Sequence, residues 1–172
     1  MDKRLYFLFF LFIVSQSAIS QKLKVDDNFR HIIGNTFKVD TDPQGLGEYT
    51  YVGGSVLSPL EVENMVVITE YRYQQNMLIT FSRKNNPANE LFTIEEVLHI
   101  KNLKNGWDLK TAVCRKDTED DPSIIAIVKA GNKEFSDNVK MAWRFNWQTL
   151  TLEKIPVKGI DCLHEGFDLT SL

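Results

Sequence analysis

The chain has 172 residues, 43% hydrophobic and 25% charged, with 20 Lys and Arg against 23 Asp and Glu. That mildly acidic balance argues against a nucleic-acid binder, which carries a basic stripe, and against electrostatic docking on anionic lipid. A chain of this length suits one domain with a core of its own.

The N-terminus reads as an export signal. Asp2, Lys3 and Arg4 precede an unbroken apolar run from Leu5 to Val14, and Ser15 to Ser20 are mostly small or polar. This is the order of a secretory signal peptide. Ala18 and Ser20 occupy the −3 and −1 positions of a cut after Ser20, which leaves Gln21 first. The run is 10 residues long, whereas a spanning helix needs roughly 20. Removing Asp2, Lys3 and Arg4 leaves 18 basic and 22 acidic residues, a net charge of −4. The expected organisation is a signal peptide over 1–20, a loose lead-in over 21–35 and a single β-rich domain over 36–172.

After the lead-in, Thr41-Asp42-Pro43-Gln44-Gly45-Leu46-Gly47 is dense in turn formers, and Gly53-Gly54 interrupts the next stretch. Met65 to Tyr73 and Met77 to Ser82 are rich in β-branched and aromatic residues, which predicts two strands. Residues 84–89 form a loop. Thr93 to Leu103 has an ambiguous period. It is read as a strand, because Lys104-Asn105-Gly106 then makes a hairpin turn with Trp107 to Cys114 returning. Asp117 to Pro122 is an acidic loop, and Ser123 to Ala130 a compact apolar strand. Ser136 to Ala142 has the spacing of a short helix, with Ser136 as N-cap and Phe135, Val139 and Ala142 on one face. Trp143 to Trp147, Thr149 to Ile155 and Ile160 to Leu163 complete the strands. The expected fold class is mainly β: an antiparallel sandwich or barrel-like sheet with at most one or two short helices, an α+β domain being the alternative.

Cys114 and Cys162 are the only cysteines. In an oxidising compartment two cysteines in one domain form a disulfide, here expected to clamp the Trp107–Cys114 strand at a sheet edge to the C-terminal strand. The exported chain holds 12 Asn, none of which begins an Asn-x-Ser/Thr sequon. This fits a bacterial periplasmic or secreted protein better than the eukaryotic secretory route.

No local motif carries catalysis. A Gly-x-Ser-x-Gly elbow and a phosphate-cradling glycine loop are both missing from the sequence. Asp117, Glu119, Asp120 and Asp121 cluster, but without EF-hand spacing or its glycine, so a solvated acidic turn is expected. His164-Glu165 begins like a zinc helix motif, but Asp168 stands where the second histidine is required. No metal or cofactor is expected. Trp143, Phe145 and Trp147 share one strand face, as do Tyr71 and Tyr73; each row suits core packing or an exposed contact platform. These five residues are the candidate binding residues.

The expected function is a non-enzymatic binding or interaction module in the periplasm or outside the cell. Its partner would be a protein or a glycan, with no nucleic acid and no membrane span after signal cleavage. The alternative is a small secreted hydrolase built on His99 or His164 with a carboxylate. A third reading is an assembly role through self-association or edge-strand pairing.

Overall fold

The computed structural model describes residues 23–38, 42–57, 65–84, 90–131, 133–146 and 148–164. The signal sequence lies outside the described residues, and so does Trp147. Among the described residues, fourteen strands follow in chain order: β1 (Lys24–Asp26), β2 (Thr36–Lys38), β3 (Thr50–Val56), β4 (Val66–Tyr73), β5 (Asn76–Lys84), β6 (Leu91–Lys101), β7 (Trp107–Thr111), β8 (Cys114–Lys116), β9 (Glu119–Asp120), β10 (Ile124–Lys129), β11 (Phe135–Ser136), β12 (Val139–Asn146), β13 (Thr151–Ile155) and β14 (Ile160–Leu163). A single 3-10 turn, Arg30–Ile32, is the only helical element among the described residues. The fold is mainly β, built from antiparallel sheets stacked as a sandwich, with no closed barrel.

Sheet I has the order β1-β6-β5-β4-β3, with β2 also pairing β6. The β-branched stretches predicted from sequence form its centre. β4 and β5 make a hairpin from Val66↔Arg83 to Tyr73↔Asn76, turning at Gln74 with φ +54°. β6 resolves the ambiguous period in favour of strand. Its far edge is shared by β1, opposite 99–101, and β2, opposite 91–93. Sheet II has the order β13-β12-β10-β7, and sheet III the order β11-β14-β8-β9.

Strand alternation puts successive side chains on opposite faces, and the three apolar clusters follow from it. One face of sheet I (Ile68, Met77, Ile79, Phe81, Leu98, Ile100) packs on Ile125, Ile127, Trp143 and Phe145 of sheet II. Phe81 and Phe145 stack across that interface at 4.7 Å. The other face of sheet II (Ile124, Ala126, Val128, Ala142) packs on Cys114, Ile160 and Cys162 of sheet III. β10 is therefore covered on both sides, which is why Ile124 to Val128 is an unbroken apolar run and wholly buried. The outer face of sheet I carries Phe37, Tyr71, Leu78, Phe92 and Ile94, and Ile32 and Leu46 pack against it.

Three local expectations are corrected. Residues 136–142 form no helix: Val139, Met141 and Trp143 pair with Val128, Ile127 and Ile125 of β10. The helical spacing of Phe135, Val139 and Ala142 competes with a period-2 alternation that continues into Phe145, and pairing with β10 wins. The Ser136 hydroxyl donates to the Lys129 carbonyl instead of capping a helix. Lys104-Asn105-Gly106 is a turn, with Gly106 at φ +80°, but not a hairpin. β7 leaves sheet I and pairs with β10. The lead-in is not loose in its described part, since Ile32 is fully buried and β1 pairs with β6.

The disulfide forms as expected between Cys114 and Cys162, with an S–S distance of 2.04 Å. The two residues face each other directly in the β8–β14 register. Its place differs from expectation, because β8 and β14 are the two central strands of sheet III rather than an edge.

Candidate functional site

The aromatic row of β12 points inward. Trp143 and Phe145 are 5% and 1% exposed, and both belong to the core between sheets I and II. They therefore offer no platform to a ligand. Trp147 falls outside the described residues. Tyr71 and Tyr73 share the outer face of sheet I, as their spacing implies. Tyr71 is buried there, whereas Tyr73 is half-buried and packs against Tyr49 at a tilted angle, 5.8 Å between ring centres. Their neighbours Glu70 and Arg72 face sheet II; a Glu70 carboxylate oxygen accepts the Thr111 hydroxyl at 2.5 Å.

The acidic segment is spent on structure. Asp117 and Thr118, both at positive φ, turn β8 into β9. Asp121 accepts the Ser123 amide and hydroxyl and pairs with Arg144 at 2.8 Å. No group of three or more His, Cys, Asp or Glu among the described residues is arranged to hold a metal. The histidines lie apart. His31 is exposed and its Nδ1 faces the Asn28 carbonyl, while the His164 amide donates to the Glu134 carbonyl.

His99 is different. It is 2% exposed, on the outer face of β6, and its Nδ1 lies 2.5 Å from Asp26 Oδ1 of β1. Its Nε2 lies 2.6 Å from the Tyr49 hydroxyl. Lys101 Nζ holds the other Asp26 oxygen at 2.7 Å, and Phe29 packs edge-on against both His99 and Tyr49. With its Nδ1–H donated to the carboxylate, the ring presents Nε2 to Tyr49. This is the connectivity of an orienting acid, a base and a hydroxyl nucleophile. The electrostatics run the other way. Burial raises the Asp26 carboxyl, but the hydrogen bonds from Lys101, His99 and the Asn28 amide outweigh it and hold the group down at about 2. Burial, then the Asp26 charge and Tyr73, push the Tyr49 hydroxyl up to about 12. An activated nucleophile needs its ionised form made easier to reach, not harder. None of the three groups lines the apolar cavity described next. The cluster ties β1 and the 42–49 segment to β6.

An apolar cavity opens elsewhere on the same face, towards β3. It measures about 220 Å³ and is lined by Tyr51, Gly54, Val56, Val67, Tyr71 and Phe92, among others, with Asp42, Ser55 and Thr69 as polar members. Among the described residues, Tyr71 is the one sequence-predicted binding residue on its wall. Gly54 is needed at this spot: a Cβ there would come within 2.8 Å of the Ile68 carbonyl oxygen and 3.7 Å of the Tyr51 hydroxyl. Beside the cavity, β3 forms the outer strand of sheet I, and Tyr51, Val52 and Val56 are 60%, 47% and 49% exposed. The Gly53-Gly54 pair, which reads in sequence as an interruption, conceals this strand. The signal that reveals it is a run of seven uncharged residues rich in β-branched and aromatic types. No local signal announces the His99 cluster, whose members lie 50 and 73 residues from His99 in the chain.

The chain matches no family model, no curated protein and no solved structure.

Proposed function

We propose that the protein is an exported, non-enzymatic binding module whose contact region is the outer face of sheet I at the cavity beside β3. The observation that carries this reading is an apolar cavity opening next to an uncharged strand with three exposed large hydrophobic side chains. Its volume of about 220 Å³ is below the roughly 300–1,000 Å³ of sites that enclose drug-sized molecules. It suits a single apolar side chain of a larger partner. The disulfide supports an oxidising compartment, and no helix among the described residues is long and apolar enough to cross a membrane. These fit a periplasmic or extracellular setting and agree with the export signal read from the sequence.

The test is a thermal-shift comparison of the wild type with Val67→Phe, which fills the cavity from its own wall. The probes are a capped six-residue peptide alternating Val and Thr, and a panel of neutral oligosaccharides. A ligand at 100 times its Kd adds about 2.7 kcal/mol to the native state, a rise of several degrees for a domain of this size. The peptide is expected to stabilise the wild type and leave Val67→Phe unchanged. Stabilisation by oligosaccharide alone, or equal stabilisation of both proteins by the peptide, would contradict the reading.

A further inference from the structure

Resting on the same contact region, we infer that the group filling the cavity comes from a second copy of this chain, which adds its β3 antiparallel to β3 and inserts Val56. Three observations lead there.

Sheet edges are commonly protected by charge, shortness or a covering segment, because unpaired backbone groups recruit other strands. The other sheet edges among the described residues follow that rule. β1 carries Lys24 and Asp26, β2 Lys38, β7 Asp108 and Lys110, β9 Glu119 and Asp120, and β13 Glu153 and Lys154, while β11 has two residues. β3 has seven residues, none of them charged, and no described strand lies on its outer side.

The hydrogen-bond parity of β3 is fixed. The Leu57 amide donates to the Val66 carbonyl. In an antiparallel ladder, alternate residues face the neighbour, so Ser55 also faces β4. Gly54 and Val56 turn their N–H and C=O groups to the open edge.

Those two residues also specify a register. Among antiparallel self-pairings that match outward groups with outward groups, the one that pairs Gly54 and Val56 with each other sets Ser55 on a two-fold axis. Gly54 of each copy then lies opposite Val56 of the other. Gly54 and Val56 stand in register with Thr69 and Val67, on the cavity face. Each Val56 side chain is therefore set across from Gly54 on the cavity face, where no side chain of β3 stands in its way, beside Tyr51 and Thr69. The contact is isologous, as a closed dimer requires, and it brings no like charges together even though the chain is net negative. The irregularity between Tyr51 and Gly53 shortens the pairing. The dimer is accordingly a small-interface one, with a Kd on the order of 10–100 μM.

Sedimentation velocity of the purified protein across a concentration series tests this. The wild type is expected to pass from monomer to dimer. Val56→Lys, an exposed change on the edge, is expected to remain monomeric with an unchanged Tm. Val25→Lys, on exposed β1, is expected to dimerise like the wild type. A wild type that stays monomeric up to about 1 mM, ten-fold above the weakest expected Kd, overturns the inference, as does a Val56→Lys protein that dimerises normally. A monomeric wild type still stabilised by the Val–Thr peptide sinks self-pairing alone; one indifferent to the peptide sinks the binding reading as well.

Discussion

Asp26 shows how one residue ties the N-terminal segment to the sheet. Its carboxyl, ordinarily near 3.8, sits at about 2 in the folded state. A folded-state pKa below the unfolded one adds stability above the unfolded value and loses it as pH falls through the folded value. The window is therefore about pH 4 to 2, and the two values differ by about 2 kcal/mol of stability. Denaturation of the wild type and Asp26→Asn between pH 6 and 2 should show the difference between them shrinking across that window. A constant difference would mean that Asp26 makes no net ionic contribution. Thr80 and Ser82 give the opposite case. Both are fully buried on β5, and neither hydroxyl has a hydrogen-bond partner among the described residues. Because a buried unsatisfied group carries a desolvation penalty of about 1–3 kcal/mol, Thr80→Val should be neutral or stabilising by about 1 kcal/mol in urea titration. A loss larger than that would show that the hydroxyl is satisfied in solution. Neither environment was readable from sequence, since Asp26 looks like any polar lead-in residue and Thr80 like any strand threonine.

At the scale of the element, the strands were legible where a local pattern and the final pairing agree. Met65 to Tyr73, Met77 to Ser82 and Ile124 to Val128 announced themselves, and the structure places β4, β5 and β10 there. Residues 136–142 misled because a helical spacing overlay the start of a strand that only β10 selects. The turn at Gly106 was legible and its consequence was not, because a turn records a change of direction but not which sheet comes next. β12 carries a test of the core assignment. Phe145→Ala should cost about 3–5 kcal/mol, as large-to-small changes in packed cores do, whereas Val56→Thr on the exposed edge should stay within about 0.5 kcal/mol. Equal, small costs at the two positions would return β12 to the surface. The disulfide gives another. The bridge closes a separation of 48 residues, for which chain entropy gives about 4 kcal/mol. The double change Cys114→Ala, Cys162→Ala should destabilise by up to that amount, with the loss measured in guanidinium.

For the whole molecule, three sheets in layers leave one broad outer face of sheet I only partly covered. Composition and alternation were enough to reach a mainly β fold, because a chain with so many short β-branched runs has few other ways to bury them; the choice of sandwich over barrel came from the packing of the sheets. The contact face could not be read in the same way. Trp143 and Tyr71 look alike in sequence, each a member of an aromatic row at alternate positions, yet sheet II turns Trp143 inward while Tyr71 lines an open cavity. Which face a second layer covers is decided by long-range packing, and nothing local encodes it. The most direct measurement of the central claim is backbone amide mapping by NMR as the Val–Thr peptide is added. The account predicts shifts confined to residues 51–56 on β3 and 67–71 on β4, with the Gly54 and Val56 amides protected from exchange. Shifts centred instead on Tyr49 and His99, or spread through the core around Trp143, would contradict it.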